Sequence, residues 1–145
     1  MSLDIRLVAY EQDLFAPLLA DAAEEGGTFL FRLRDEWESG ALRFDAPGEF
    51  LLGAFLDGAL VGVAGLSHDP YHPAPGRGRV RHVYVLARRR SHGIGRRLVE
   101  AVVAGARANF DHLRLATRRP EAAALYESMG FLRVDEPHQT HLLRF

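Results

Sequence analysis

Between Arg79 and Ala108 a β-branched run, a basic turn with two glycines and an amphipathic helix follow one another without a break. Val80, Val83, Tyr84 and Val85 read as a buried strand. Ile94, Leu98, Ala101, Val102 and Gly105 recur at helical spacing and make one narrow face of apolar or small residues. A strand that leads straight into a helix is a unit of layered α/β architecture. In the turn, Leu86–Arg97, Gly93 and Gly95 let the backbone come close to a ligand. The first turn of the helix offers N–H groups with no partner inside it. The helix dipole and the surrounding arginines add to one positive field, so the expected guest is a phosphate or pyrophosphate.

Strand–glycine turn–helix units are common, and a tight turn with solvated arginines fits the same residues. A dinucleotide fingerprint would need its third glycine at Leu98, and Asp111, near the distance of a ribose-binding acid, precedes the next apolar strand instead of ending it. A phosphate-cradling NTPase loop is excluded, because the chain has no lysine to follow the second glycine.

The rest of the chain supplies the other layers. Leu3–Val8 reads as a strand, and Glu11–Glu24 as a helix with Leu14, Phe15, Leu18, Leu19 and Ala22 on one face. Asp13 as N-cap would leave Pro17 in the first turn, where a missing N–H costs least. Gly26-Gly27 stops that helix. Within Thr28–Phe44, Leu33 and Trp37 suit a short second helix, while Phe29 and Phe31 read as core or interface packing ahead of aromatics beside a site. Phe50–Leu56 and Leu60–Leu66 flank Asp57-Gly58, a hairpin signal. His68–Gly78 is a connection too broken by proline and glycine for a helix. His112–Thr117 is a short strand. Pro120–Met129 is a helix with proline at its start and Gly130 past its end. Phe131–Val134 and His138–Phe145 close the chain as a hairpin. The expected class is α/β (α+β): a single domain over 1–145, built as a three-layer α/β/α sandwich around a mixed, mostly antiparallel sheet of about six or seven strands with about four helices.

Three blocks carry a resemblance. Val83-Tyr84-Val85-Leu86, then Arg90-Ser91-His92-Gly93-Ile94-Gly95-Arg96-Arg97-Leu98, then Ala122-Ala123-Ala124-Leu125-Tyr126-Glu127-Ser128-Met129-Gly130-Phe131 resemble the GNAT superfamily of acetyl-CoA-dependent N-acetyltransferases. The first two are similar to the family's pyrophosphate motif, Gln or Arg, two residues, Gly, any residue, Gly or Ala. The third is similar to its Leu-Tyr-Glu helix ending in Gly-Phe. The order of elements matches over essentially the whole chain. The resemblance implies the acyl-CoA N-acyltransferase fold, acetyl-CoA as co-substrate and an amine as acceptor. It implies binding by Val83, Tyr84 and Val85 along the pantetheine arm and by Arg90, Ser91, His92, Gly93, Ile94, Gly95 and Arg96 at the diphosphate. It gives Tyr126 the role of protonating the departing sulfur. Ala122, Leu125, Tyr126 and Met129 also make an apolar stripe in which a tyrosine would be core.

Two positions depart from the family pattern. Arg79 stands where a Glu often serves as base, and Arg119 where an Asn often touches the pantetheine. Arg119 is retained as a co-substrate contact, to a phosphate-like group. With Arg79 unable to accept a proton, the candidates for base are His82, His68 and Glu127, or an amine that arrives unprotonated. For a lysine-like amine that deprotonation costs about 4–5 kcal/mol at neutral pH. Simple alternation puts Arg79 and Arg81 on one face of the strand and His82 on the other. The two arginines then either recognise an anion on the acceptor or form a solvated, ion-paired edge.

Composition narrows the partners. The net charge of −1 argues against a nucleic-acid binder, and the Arg88–Arg90 and Arg96–Arg97 clusters lack a stacking aromatic series. Without cysteine there is no thiolate metal site or cysteine nucleophile, and Pro70 and Pro73 prevent helical presentation of His68 and His72, so no metal is expected. No signal-like N-terminus and no apolar run of membrane-crossing length is visible, so a cytoplasmic protein with no membrane partner is expected. A homodimer through the C-terminal strands is common among similar proteins. The rival from another class is a non-catalytic acyl-CoA-binding or sensing module.

Overall fold

A seven-stranded sheet is the middle layer of the protein, which a computed structural model describes over residues 2–145. In chain order the elements are β1 (Leu3–Leu7), α1 (Gln12–Glu24), α2 (Phe29–Ser39), β2 (Phe50–Leu56), β3 (Ala59–His68), β4 (Arg77–Val85), α3 (Ile94–Ala106), β5 (His112–Leu115), α4 (Pro120–Ser128), β6 (Leu132–Glu136) and β7 (Gln139–Arg144). A 3₁₀ turn at Ala87–Arg89 links β4 to the glycine turn. The strands lie in the order β1-β2-β3-β4-β5-β7-β6, with β4 and β5 parallel and every other pair antiparallel. This is the expected mixed sandwich.

Three layers follow from what each strand face meets. A side chain added at Gly62 would meet Leu98 of α3, and one added at Gly65 would meet the ring of Phe44, just beyond α2. Residues three apart on a strand face opposite ways. So α3 covers one face of the sheet and the α1–α2 side covers the other. With helices on both faces, β2 and β3 are buried almost end to end, and their apolar runs do not alternate. Asp57 and Gly58 both take positive φ, 50° and 89°, and turn the chain tightly between them.

Two local expectations are corrected. The N-cap of α1 is Glu11, not Asp13, and Phe15 N–H already donates to the Glu11 carbonyl at 2.9 Å. Pro17 therefore lies inside the helix, beyond the first turn. Burial of Phe15, Leu18 and Ala22 on one face sets that register against the local preference of the proline. The strand after α3 ends at Leu115 instead of Thr117, whose N–H donates to Thr140 Oγ1 at 3.0 Å. The ambiguous Thr28–Phe44 stretch resolves as α2, with Leu30 and Leu33 buried and Gly40 closing it at φ 82°.

The sheet is split in its middle. β4 pairs with β5 only from Arg77↔His112 to Arg79↔Arg114, and from Val80 to Val85 it runs on without a β5 partner. On its other edge β4 stays paired to β3, through a register shift between Val63↔Tyr84 and Gly65↔Arg81. Ala64 thus opposes both His82 and Val83, a β-bulge, and His82 takes φ 57° to make it. Among the described residues, no helix is long and apolar enough to cross a membrane.

Candidate active site

The bulge overturns the simple alternation expected for this strand. Arg81 Nη2 and His82 Nε2 both approach Glu36 Oε1, at 3.1 and 3.9 Å, so His82 lies on the same side as Arg81. The extra residue also reverses the parity of everything after it. Tyr84 now points toward α1, where its hydroxyl meets Asp21 at 2.6 Å and Glu25 at 2.8 Å. Val85 points toward α3 and would touch a side chain placed at Gly95. One strand therefore serves two neighbouring spaces.

The first space is a cavity of about 400 Å³ in the split between β4 and α4, roofed by the start of α3. All of the residues expected to hold the co-substrate line it except His92: Val83, Tyr84, Val85, Arg90, Ser91, Gly93, Ile94, Gly95, Arg96 and Arg119. His92 turns away, its ring nitrogen 3.2 Å from the Arg89 carbonyl, into a hollow with Leu3, Leu56 and Arg97. Gly93 caps α3 at φ 79°, and the first i→i−4 bond runs from Arg97 N–H to the Gly93 carbonyl. The amides of Ile94, Gly95 and Arg96 are left without helical partners at the rim of the cavity. That is the donor set a diphosphate needs, and the residues fit such a group.

Side chains hold this mouth in shape. Arg90 donates through both terminal nitrogens to Glu25 and through Nε to the Val85 carbonyl at 2.9 Å. The Arg90 pair, with the Tyr84 hydroxyl, holds the Glu25 carboxyl down at about 2. Asp21 accepts from Tyr84 and from the Ala87 amide, which ties the end of α1 to the end of β4. Across the cavity Arg96 donates to Ser128 at 2.7 Å and joins α3 to α4. Arg119 is paired with Glu121 at 2.9 Å.

The second space, about 260 Å³, shares Phe29, Val83 and Tyr126 with the first. Its other walls include Arg32, Tyr71, Arg79, Arg81 and His82. Tyr126 stands at the junction, 6% exposed, packed on Phe131 and His141 at ring-centroid distances of 5.5 and 6.2 Å. Burial pushes its hydroxyl up to about 12, so it is protonated at any ordinary assay pH. That hydroxyl forms no hydrogen bond with any described residue.

His82 lines this second space, stacked on Phe29 at 6.5 Å and edge-on to Phe44 at 6.2 Å. Burial first, then Arg81 and Arg32, push it down to about 3. It is neutral at pH 7, and its approach to Glu36 is not an ion pair. A histidine charged when unfolded and neutral when folded withdraws stability as pH falls below about 6.5, the unfolded value, until its folded value is reached. His112, lowered by burial and by Arg114, acts in the same sense. Between pH 6.5 and 5 the His82 part is about 2 kcal/mol. Urea unfolding at the two pH values should show that loss, and His82→Asn should remove most of it. An unchanged slope in the variant would contradict the assignment.

The other candidates for base lie elsewhere. His68 bonds the Pro47 carbonyl at 2.8 Å and packs on Phe110, lining neither cavity. Glu127 accepts from Arg133 and pairs with His141, also outside both. Arg79 and Arg81 are not a solvated edge: Arg79 is 9% exposed, 3.8 Å from Asp69, with Nη2 donating to the His138 carbonyl at 2.7 Å. Among the described residues no group of three His, Cys, Asp or Glu side chains is placed to hold a metal ion. Arg32 and Tyr71, which carry no functional signal in the sequence, line the second space as well, and Phe29 departs from the core or interface packing expected of it. Phe29 is 37% exposed and stands in the wall between the two spaces.

Comparison with known proteins gives this geometry its context. The sequence model of the Acetyltransferase (GNAT) family matches residues 12–131. N-alpha-acetyltransferase RimI of Mycobacterium tuberculosis is 36% identical over 107 residues, covering 72% of this chain and 67% of that protein. A crystal structure of a candidate acetyltransferase from Exiguobacterium sp. 255-15 superposes with a TM-score of 0.87 at 29% identity, over 99% of this chain and 94% of that one. The PaiA N-acetyltransferase of Thermoplasma acidophilum, solved in complex with coenzyme A, shares the fold at 17% identity, with a TM-score of 0.70 over 100% of both chains.

Proposed function

The chain belongs to the GNAT family of acetyltransferases, and from that premise we propose that it moves the acetyl group of acetyl-CoA directly onto a primary amine. The observation that carries this reading is the wall shared by the two cavities, where Val83 and Tyr126 face both spaces. The diphosphate is held by the amides of Ile94, Gly95 and Arg96, and the pantetheine arm runs along the unpaired edge of β4 at Val83–Val85. The thioester then reaches the junction beside Tyr126, and the amine enters from the second cavity. The C–N bond forms and the C–S bond breaks; the Tyr126 hydroxyl gives its proton to the sulfur, and the proton that the nitrogen sheds as it becomes an amide returns Tyr126 to its neutral form through solvent. Free N–H groups of β4 at the split stabilise the negative charge that develops on the carbonyl oxygen.

The amine must lose a proton, and His82 at about 3 is a poor acceptor for it. The acceptor therefore enters unprotonated. At pH 7 that costs a lysine-like amine about 4–5 kcal/mol but an α-amine only about 1 kcal/mol. A site without an effective base thus favours α-amines, and the name of the mycobacterial relative, an N-alpha-acetyltransferase, supports the same choice.

The test is release of free thiol from acetyl-CoA across a panel of amino acids, amidated peptides, polyamines and aminoglycosides, with pH profiles for the best acceptors. In this reading kcat/KM rises with pH toward each acceptor's own amine pKa. A fixed enzyme pKa near 6–7 for every acceptor would reinstate a histidine base. Coenzyme A binding with no thiol release on any amine would leave a binding module instead of a transferase.

A further inference from the structure

The second cavity is lined by three arginines, Arg32, Arg79 and Arg81, and among the described residues no carboxylate side chain lines it. The countercharges stand behind them. Arg81 is paired with Glu36 at 3.1 Å, and Asp69 lies 3.8 Å from Arg79 Nη1, beyond hydrogen-bond reach. Arg79 Nη1 is buried without a hydrogen-bond partner among the described residues, its side chain nine-tenths enclosed. A buried cationic N–H left unpaired is costly. Asp69 Oδ2 beside it is likewise without a partner among the described residues, so the two make a polar pocket whose hydrogen bonds an incoming acceptor or a bridging water completes. The group is also well oriented. Tyr71 lies under the guanidinium at 4.6 Å and is itself stacked on His138 at 4.2 Å, so the fork is held in one plane. Arg32, exposed at the opening, makes no ion pair with any described residue. Arg81 and Arg32 are also the charges that help keep His82 neutral, so their field reaches into this space.

Building on the transfer proposed above, we infer that the acceptor carries a carboxylate a few bonds from its α-amine, held by Arg79 with Arg32 at the entrance. A planar oxyanion is the ligand a guanidinium fork matches best, and among the described residues no carboxylate side chain lines this cavity to repel it. The volume of about 260 Å³ admits a group of amino-acid size. The carboxylate can belong to a free amino acid or to an acidic side chain next to a peptide N-terminus. Both present the same chemistry to Arg79.

Two matched pairs of probes separate these sources: alanine against alaninamide, and the amidated tripeptides Ala-Asp-Ala against Ala-Asn-Ala. Rates are measured as thiol release and corrected for the fraction of free amine. The correction removes the effect of the carboxylate on protonation, and the more basic free amine of the acidic member is somewhat the better nucleophile, so the comparison across the arginine variants, in which the acceptor is unchanged, assigns the cause. The expected result is a kcat/KM at least about 10-fold higher for the acidic member of one pair, mainly through KM. The same ratio is then taken within Arg79→Gln and within Arg32→Ala, and it should fall toward one. Arg79→Gln leaves the buried Asp69 without its cation, so the exposed Arg32 variant keeps the test intact if the first folds poorly. A ratio of one or less for both pairs in the parent protein overturns the inference, as does a ratio unchanged in both variants. Transfer without such a preference leaves the acetyltransferase reading standing; absence of transfer to every acceptor removes both.

Discussion

Gly95→Leu is expected to weaken coenzyme A binding by at least about 100-fold, near 2.7 kcal/mol, while the protein stays folded. Gly95 is the second residue of α3 and faces the larger cavity between Val85 and Leu125. In the empty protein a Cβ there would sit 3.8 Å from Val85 and 3.9 Å from Leu125, ordinary contact distances. A leucine fills the passage with apolar atoms at the point where a diphosphate must approach the amides of Ile94, Gly95 and Arg96. Leucine is also a better helix former than glycine, by somewhat under about 1 kcal/mol, so stability should not fall. Gly95→Ala is the control and should bind within about 3-fold of the parent, since one methyl group finds room. Gly93 is less suited to the comparison, because at φ 79° any side chain adds about 1 kcal/mol of backbone strain and mixes folding with binding. Titration calorimetry with coenzyme A, alongside a thermal melt, decides the matter. Parent-like affinity in a folded Gly95→Leu protein would remove the helix mouth from the binding site.

Tyr126→Phe should lower kcat by about 10- to 100-fold and leave the affinity for coenzyme A nearly unchanged. The range sits at the low end for general acids because a thiolate, near 8.5 when unperturbed, already leaves readily. Burial that pushes Tyr126 up to about 12 keeps its proton in place but makes its complete transfer uphill, so the hydroxyl helps most as a donor to the sulfur as charge develops. Folding should be insensitive, since the hydroxyl has no hydrogen-bond partner among the described residues and the ring contacts with Phe131 and His141 survive. An unchanged kcat would make Tyr126 a core residue that happens to border both cavities.

The parts of this site visible in the sequence are those coded by neighbours along the chain. The β4–turn–α3 unit, the Asp57-Gly58 hairpin and the proline-to-glycine limits of α4 each depend on residues within a few positions of one another. The bulge at His82 does not. It exists because Ala64, on a different strand, is set against two residues at once, and alternation along β4 alone assigns His82 to the wrong side. The same limit applies to Pro17, placed inside α1 by the burial of Phe15 and Leu18. It applies as well to Phe29, whose part in the site depends on how α2 lies against the end of β4. Arg32 and Tyr71 carried no local signal: only the fold brings an exposed helix and a proline-rich loop to the same opening.

The split in the sheet has a mechanical side. Its two leaves, β1 to β4 and β5 with β7 and β6, meet along a spine of three rungs, from Arg77↔His112 to Arg79↔Arg114. Beyond that spine they are braced by helix contacts such as Arg96 to Ser128. A long guest lying along the open margin of β4 would supply rungs the chain itself lacks. The loaded protein would then be the stiffer one, and its co-substrate would be part of its framework as well as of its chemistry.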